Sequence, residues 1–178
     1  MSVNHQIFLA GFGGQGILFA GKYLVYTGML AGYEVSWMPS YGPEMRGGTC
    51  NCSVNISDEP VDTPIILHPT VLCVMNLPSF DKFEPATVPG GRVYIDSSLI
   101  ERAPARDDVT NTLIPATGMA REQNMTKLAN MILVGKIIRD IGLDDKELIE
   151  KTMKKVVPAK KPELYDLNMK ALQIGLEL

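Results

Sequence analysis

Apolar and polar positions along the chain keep two rhythms, a period near 3.6 and a period of two, and they alternate. Ile7-Phe8-Leu9-Ala10 is a short apolar run that stops at a glycine cluster, which predicts a buried strand. Ile17, Ala20, Leu24 and Met29 then recur at helical spacing over residues 17–30, and Gly28 and Gly32 supply stop signals. Residues 33–38 predict a second strand, and 39–48 a loop. Residues 49–56 alternate strictly. Thr49, Asn51, Ser53 and Asn55 face one way, and Cys50, Cys52, Val54 and Ile56 the other, so a half-buried strand is expected.

Asp58-Glu59-Pro60 turns the chain. Residues 71–75 are continuously apolar and predict a central strand. Residues 92–95 and 109–114 are further strand candidates. One long helix is expected over 117–141, with Thr117 as N-cap and Gly142 as stop. It is apolar almost all round at Met131 to Val134, Ile137, Ile138 and Ile141, so it should be buried on more than one side. Asp144 with Glu147 three residues on reads as a capping box for the next helix. Pro158 and Pro162 break the chain before a last helix over 163–178.

Strand, glycine turn, helix and strand in that order predict a parallel βαβ unit with a right-handed crossover. The expected fold class is α/β: a three-layer Rossmann-like sandwich with a mostly parallel sheet and C-terminal helices. No stretch reads as a long linker, so residues 1–178 are expected to form a single domain.

Composition narrows the function. The chain has 178 residues, 46% apolar and 21% charged, which is ordinary for a globular domain. A formal net charge of −3 argues against a nucleic-acid platform, which would carry a basic stripe. Residues 1–100 hold only twelve charged side chains, against twenty-five in residues 101–178. A charge-poor first half of that length needs cover from its own helices or from other chains. No run approaches the roughly twenty apolar residues of a membrane span. The opening residues lack the basic and apolar stretches of a secretion signal. A reduced, cytoplasmic protein is therefore expected.

Cys50, Cys52 and Cys73 match no metal or iron–sulfur spacing and read as small buried hydrophobes. The two histidines, His5 and His68, stand apart from any nucleophile motif. No P-loop is present in the sequence. Lys154-Lys155 and Lys160-Lys161 form a basic patch that reads as solvated surface or as a contact to a phosphate or an acidic partner.

Two loops carry the candidate chemistry. Gly11-Phe12-Gly13-Gly14-Gln15-Gly16 fits G-x-G-x-x-G, after a strand and opening a helix. On the dinucleotide reading Gly11 allows the tight turn, Gly13 lets a ligand approach, and Gly16 lets helix and strand pack. The helix N-terminus then offers N–H groups to an anion. The ribose-binding acid would have to be Glu34, which falls in the opening half of the second strand rather than at its end. The other reading is that the glycines only close the turn. The second loop, Ser40-Tyr41-Gly42-Pro43-Glu44-Met45-Arg46-Gly47-Gly48, should stand beside the first at the sheet's carboxyl edge. Arg46 could grip a phosphate or carboxylate with two parallel hydrogen bonds, or simply pair with Glu44.

The two loops together resemble the gamma subunit, or gamma domain, of the 2-oxoacid:ferredoxin oxidoreductases. These are the pyruvate, 2-oxoglutarate, 2-oxoisovalerate and indolepyruvate enzymes. Residues 51–58, Asn130-Met131 with Gly135, and the stretch from Leu167-Asn168 to Gly175 extend the resemblance over most of the chain. It implies a multi-subunit enzyme that decarboxylates a 2-oxoacid, 2-oxoglutarate being expected here, on thiamine diphosphate. Electrons then pass through iron–sulfur clusters to ferredoxin, and the acyl group goes to coenzyme A. Thiamine diphosphate, Mg2+ and the clusters would sit on alpha, beta and ferredoxin-like delta subunits, with none bound by this chain alone and no nucleic-acid or membrane partner.

The resemblance assigns Gly11, Gly13, Gly14, Gln15 and Gly16 to a ligand or subunit contact. It assigns Ser40, Tyr41, Gly42, Pro43, Glu44, Arg46, Gly47 and Gly48 to an inter-subunit or substrate-proximal surface with a possible coenzyme A contact. It implies no catalytic acid, base, nucleophile or metal ligand on this chain. A free-standing NAD(P)-dependent oxidoreductase and a non-catalytic ligand-binding module are the competing expectations.

Overall fold

A computed structural model describes residues 2–40 and 49–178. Six strands form one sheet: β1 Asn4–Phe12, β2 Glu34–Ser40, β3 Thr49–Ser57, β4 Val71–Val74, β5 Arg92–Asp96 and β6 Thr110–Ile114. Six helices accompany them: α1 Ile17–Leu30, α2 Leu77–Phe83, α3 Ala116–Glu122, α4 Ala129–Asp140, α5 Lys146–Val156 and α6 Pro162–Leu176. The strand order is β2-β3-β1-β4-β5-β6. The four strands β1, β4, β5 and β6 pair in parallel, while β3 is antiparallel to both β1 and β2. The sheet is thus mostly parallel, as expected.

The opening βαβ expectation needs correction. β2 does run in the same direction as β1, but β3 lies between them. The cause is local. β2 and β3 form a hairpin, Ser40 opposite Asn51, so β3 folds back into the place beside β1.

β3 is also more deeply buried than its alternation predicts. Cys52, Val54 and Ile56 enter the main core as expected. The polar side is covered too: Ser53 and Asn55 are only 3% and 4% exposed. Asn55 Nδ2 donates to Ser36 Oγ at 2.9 Å and lies 3.5 Å from the carbonyls of Thr63 and Pro64, which cross that face. A polar residue accepts burial when its hydrogen bonds are met, so hydropathy alone does not report its environment.

The main core lies between one sheet face and α1, α4, α5 and α6, with Ile7, Leu9, Tyr23, Leu24 and Ile132 at its centre. A smaller core on the other face joins Phe8, Leu72, Val74 and Ile95 to Phe80 of α2. α2 was not expected from hydropathy; Asn76 caps it by accepting from Ser79 N at 2.8 Å.

The long helix expected over 117–141 is two helices. Asn124 takes a left-handed conformation, φ 56°, and ends α3. Asparagine tolerates that region better than most residues. The first of the two helices is capped at Pro115, not Thr117. Thr117 instead donates its hydroxyl to the buried Asp96 at 2.5 Å. Gly142 does stop α4, at φ 76°. The cap of α5 is Asp145 rather than Asp144, accepting from Leu148 N at 2.9 Å.

α4 and α6 cross in backbone contact. A methyl group at Gly135 would overlap the carbonyl oxygen of Leu172, and one at Gly175 would overlap that of Ile132. The positions Gly135 and Gly175, which carry the family resemblance, are therefore where the two helices touch.

Candidate functional site

The glycine turn sits at the sheet's carboxyl edge, between β1 and α1. β1 continues through Gly11 to Phe12, so Gly11 does not make the turn. It leaves room instead: a methyl there would stand 2.6 Å from Gln15 Oε1. Gly14 and Gly16 make the turn, both left-handed, at φ 97° and 75°. Gly14 has open space on its Cβ side. Gly16 is the close approach, and its neighbour is a helix, not the strand expected. Asn130 of α4 donates from Nδ2 to the Gly16 carbonyl at 2.9 Å, and a Cβ at Gly16 would overlap it.

Gln15 holds the turn's shape. Its Oε1 accepts from Phe12 N at 2.6 Å, and its Nε2 donates to the Met75 carbonyl at the end of β4 at 2.8 Å. One side chain thereby ties the ends of two parallel strands. With both ends of its amide engaged, Gln15 acts as a strap.

A cleft of about 170 Å³ opens beside this turn, lined by Gly14, Gln15, Met75, Leu99, Thr126 and Lys127 among others. Thr126 and Lys127 belong to the break between α3 and α4, which is why the sequence reading missed them. The local signal was the pair of weak helix formers Asn124 and Thr126. Lys127 forms no ion pair among the described residues. Neither α1 nor α4, which both begin near the cleft, carries an acid in its first turn. Positive helix ends and one ammonium favour an anion of phosphoryl size. Asp96 stands behind the cleft, fully buried. It accepts from Ser98 N at 3.1 Å, Thr117 N at 3.3 Å and Thr117 Oγ1, and so fixes the start of α3.

Of the second loop, Ser40 ends β2 and is exposed; Tyr41, Gly42, Pro43, Glu44, Arg46, Gly47 and Gly48 lie outside the described residues. The strands flanking it fix where it starts and ends. Ser40 pairs with Asn51, and Thr49 pairs with Phe12, so both anchors lie at the edge from which the glycine turn springs. Phe12, Leu77 and Leu99 follow β1, β4 and β5 at or near this same edge and are 38%, 39% and 42% exposed. Three large apolar side chains there make a rim suited to another protein surface.

Other candidates fall elsewhere. Glu34 is the first residue of β2, paired with Ser57, at the edge opposite the glycine turn. The geometry does not bring it to a ribose there. The three cysteines are reduced and buried. Burial raises the thiol pKa values, that of Cys52 to about 12. No group of His, Cys, Asp and Glu among the described residues could hold a metal ion. No helix among them is long and apolar enough to cross a membrane. Lys154 and Lys155 occupy the last turn of α5, where a helix C-terminus favours cations.

Comparisons with known proteins give the chain its family. The pyruvate ferredoxin/flavodoxin oxidoreductase family profile matches residues 6–178. The chain is 35% identical over 174 residues to the ketoisovalerate oxidoreductase subunit VorA of Methanothermobacter thermautotrophicus, covering 97% of this chain and 36% of that protein. It thus spans about a third of that relative's length. It is 34% identical to the 2-oxoglutarate synthase subunit KorC of Methanocaldococcus jannaschii, over 100% of this chain and 95% of that one.

Among solved structures, the gamma subunit of a keto/oxoacid ferredoxin oxidoreductase from Geobacter sulfurreducens superposes with a TM-score of 0.81 at 28% identity. It covers 97% of this chain and 96% of that one. The 2-oxoglutarate:ferredoxin oxidoreductase of Magnetococcus marinus, with 2-oxoglutarate, coenzyme A and succinyl-CoA bound, shares the fold at a TM-score of 0.88 and 22% identity. It covers 98% of this chain and 30% of that one. With the family profile and the KorC kinship running almost end to end, the chain belongs to the pyruvate ferredoxin/flavodoxin oxidoreductase family, as a gamma-type member.

Proposed function

We propose that this chain, as one gamma-type domain over residues 1–178, is the non-autonomous gamma subunit of a 2-oxoacid:ferredoxin oxidoreductase. The complex decarboxylates 2-oxoglutarate oxidatively, reduces ferredoxin and forms the acyl-CoA. Thiamine diphosphate, Mg2+ and iron–sulfur clusters belong to its alpha, beta and delta partners. The choice of 2-oxoglutarate is supported by the KorC relative, which matches this chain over nearly the whole length of both.

The observation that carries the reading is the cleft at the glycine turn. It combines open space at Gly14, an ammonium without an ion pair among the described residues, and an apolar rim along the same edge. Its size fits a phosphoryl group rather than a whole cofactor. In this role Lys127 and the Gly14 turn receive a phosphate of coenzyme A, and Phe12, Leu77 and Leu99 rest against a partner chain. Glu44 and Arg46 order that contact. When bound, coenzyme A supplies the thiol that accepts the acyl group; this chain positions the cofactor's far end.

The test is the reconstituted complex. Lys127→Gln should raise KM for coenzyme A about tenfold, the loss of one charge-assisted contact, with KM for the 2-oxoacid unchanged. Arg46→Ala should weaken either assembly or coenzyme A use. An unchanged KM for coenzyme A in Lys127→Gln would remove the cofactor role. Turnover of pyruvate or 2-oxoisovalerate in preference to 2-oxoglutarate would replace the substrate.

A further inference from the structure

The opposite edge of the sheet holds a second polar cleft that the proposed function does not use. It measures about 250 Å³ and is lined by Asn4 and His5 of β1, Thr70 and Val71 at the start of β4, and residues 88–92 leading into β5. The register sets its chemistry. Ile7 pairs with Val71, and Val71 with Arg92. His5, two residues before Ile7, therefore shares with Arg92 the sheet face covered by α1, α4, α5 and α6. One strand separates them and His5 sits two residues off that register, so their backbones stand roughly 12 Å apart and two long side chains can converge on one small ion.

Both groups can be cationic, and no carboxylate lies between them. Neither His5 nor Arg92 forms an ion pair among the described residues. The acids nearby are already engaged. Asp140 accepts from Tyr94 Oη and from Lys136 Nζ, each at 2.8 Å. Asp108 is paired with Arg106, and Asp58 accepts from Val3 N at 2.8 Å. Arg92 spends one Nη1 hydrogen on the Asp140 carbonyl, at 2.5 Å. Its planar fork still has donors to offer. Burial, with the charge of Arg92, holds the His5 imidazole below its ordinary pKa. The neutral His5 ring still offers one N–H beside the charged Arg92 guanidinium, and an anion bound between them would favour the protonated ring.

We propose that this cleft binds a phosphate oxyanion, free or carried by a small metabolite, between the His5 imidazole and the Arg92 guanidinium. The site lies at the far end of the strands from the glycine turn, so it stands or falls independently of the coenzyme A role.

The chain's two histidines make the test direct. In the purified protein at constant pH, the ring signals of His5 and His68 are followed by NMR during titration with inorganic phosphate, at ionic strength held with sodium chloride. His68 is exposed and serves as the internal control. The His5 signals should move saturably and those of His68 should not. Calorimetry should then show phosphate binding weakened about tenfold in His5→Gln and in Arg92→Gln, the expected loss of one charge-assisted bond.

Arg92→Gln also removes a bond to α4, so His5→Gln, whose side chain makes no hydrogen bond among the described residues, decides the matter if that variant fails to fold. Tighter binding of glycerol 3-phosphate than of phosphate identifies a phosphomonoester ligand, and the reverse identifies the free ion. The proposal fails if His5 does not move, if both histidines move alike, if acetate binds as tightly as phosphate, or if His5→Gln binds unchanged.

Discussion

Gly14 and Gly16 share a turn and a left-handed backbone, yet they do different work, and substitution should separate them. Alanine at either position meets the left-handed penalty, about 1 kcal/mol. At Gly14 nothing else is in the way, so Gly14→Ala should cost about that much. At Gly16 the new methyl also displaces Asn130 and breaks its bond to the Gly16 carbonyl, so the loss should be about 2–4 kcal/mol. Urea denaturation of the two variants measures the difference; equal losses would mean that the α1–α4 contact contributes nothing.

The same scale holds a pH prediction. Burial raises the Cys52 thiol from 9.0 to about 12, and Cys73 moves the same way. The native state then keeps protons that the unfolded chain releases, so stability is intact below pH 9 and falls as pH climbs towards 12. Tyr23 and Tyr94, also raised by burial, add to the fall above pH 10. Melting temperature measured from pH 7 to 11 should decline. The native thiols should stay unreactive to a thiol reagent at pH 8 until the chain is unfolded. What the sequence could tell at this scale was residue type, such as a glycine motif and small apolar cysteines. It could not show that Gln15 would be used up as a strap, because that depends on Met75, sixty positions away.

At the scale of elements, periodicity located every strand and most helices, and it failed where a local rule was overruled by a distant contact. One long helix was expected through 117–141, but Asn124 ends it and the second half swings round to place Asn130 on the glycine turn. α2 is only seven residues long, too short to show a period, and is held by its Asn76 cap. The α4–α6 crossing was visible only as two glycines in a resemblance. The structure gives the reason: a methyl on either would overlap a carbonyl of the other helix. Gly175→Ala should therefore lower stability by about 2–4 kcal/mol, since backbone cannot yield as a side chain can. Chemical denaturation would detect it, and a loss below about 0.5 kcal/mol would show that α6 moves away freely.

Glu84 is the other anchor at this scale. It is 2% exposed, receives Arg102 at 2.6 Å and the Ala105 amide at 2.8 Å, and so pins the segment that follows β5. Arg102 also bonds Asp81 and lies 4.2 Å from the Phe80 ring centroid. Glu84→Ala removes a buried carboxylate together with its bonds to Arg102 and the Ala105 amide and should cost about 1–3 kcal/mol. Faster hydrogen exchange confined to residues 97–109 would report the release; exchange unchanged there would deny Glu84 that role.

For the whole molecule, the sheet's order decides what stands at its working edge, and order is the property least written in local pattern. A hairpin returning between β2 and β1 moves the second loop's anchors next to the first loop, which the expected parallel unit would also have done by another route. The candidate site was thus legible in position but not in make-up: Lys127, Thr126 and the apolar rim come from segments distant in sequence.

That rim carries a further prediction. Phe12 and Leu99 are about two-fifths exposed; Phe12 ends β1 and Leu99 follows β5, the strands on either side of β4. A charge at either position costs the isolated chain little, because each is already in water. In a complex the same charge would be buried without a partner, a penalty of several kcal/mol. Leu99→Glu should therefore leave the isolated chain's melting temperature within about a degree or two. It should weaken co-purification with the partner subunits more than tenfold. Normal assembly by Leu99→Glu and by Phe12→Asp would show that this edge faces solvent in the complex and that the partners attach elsewhere.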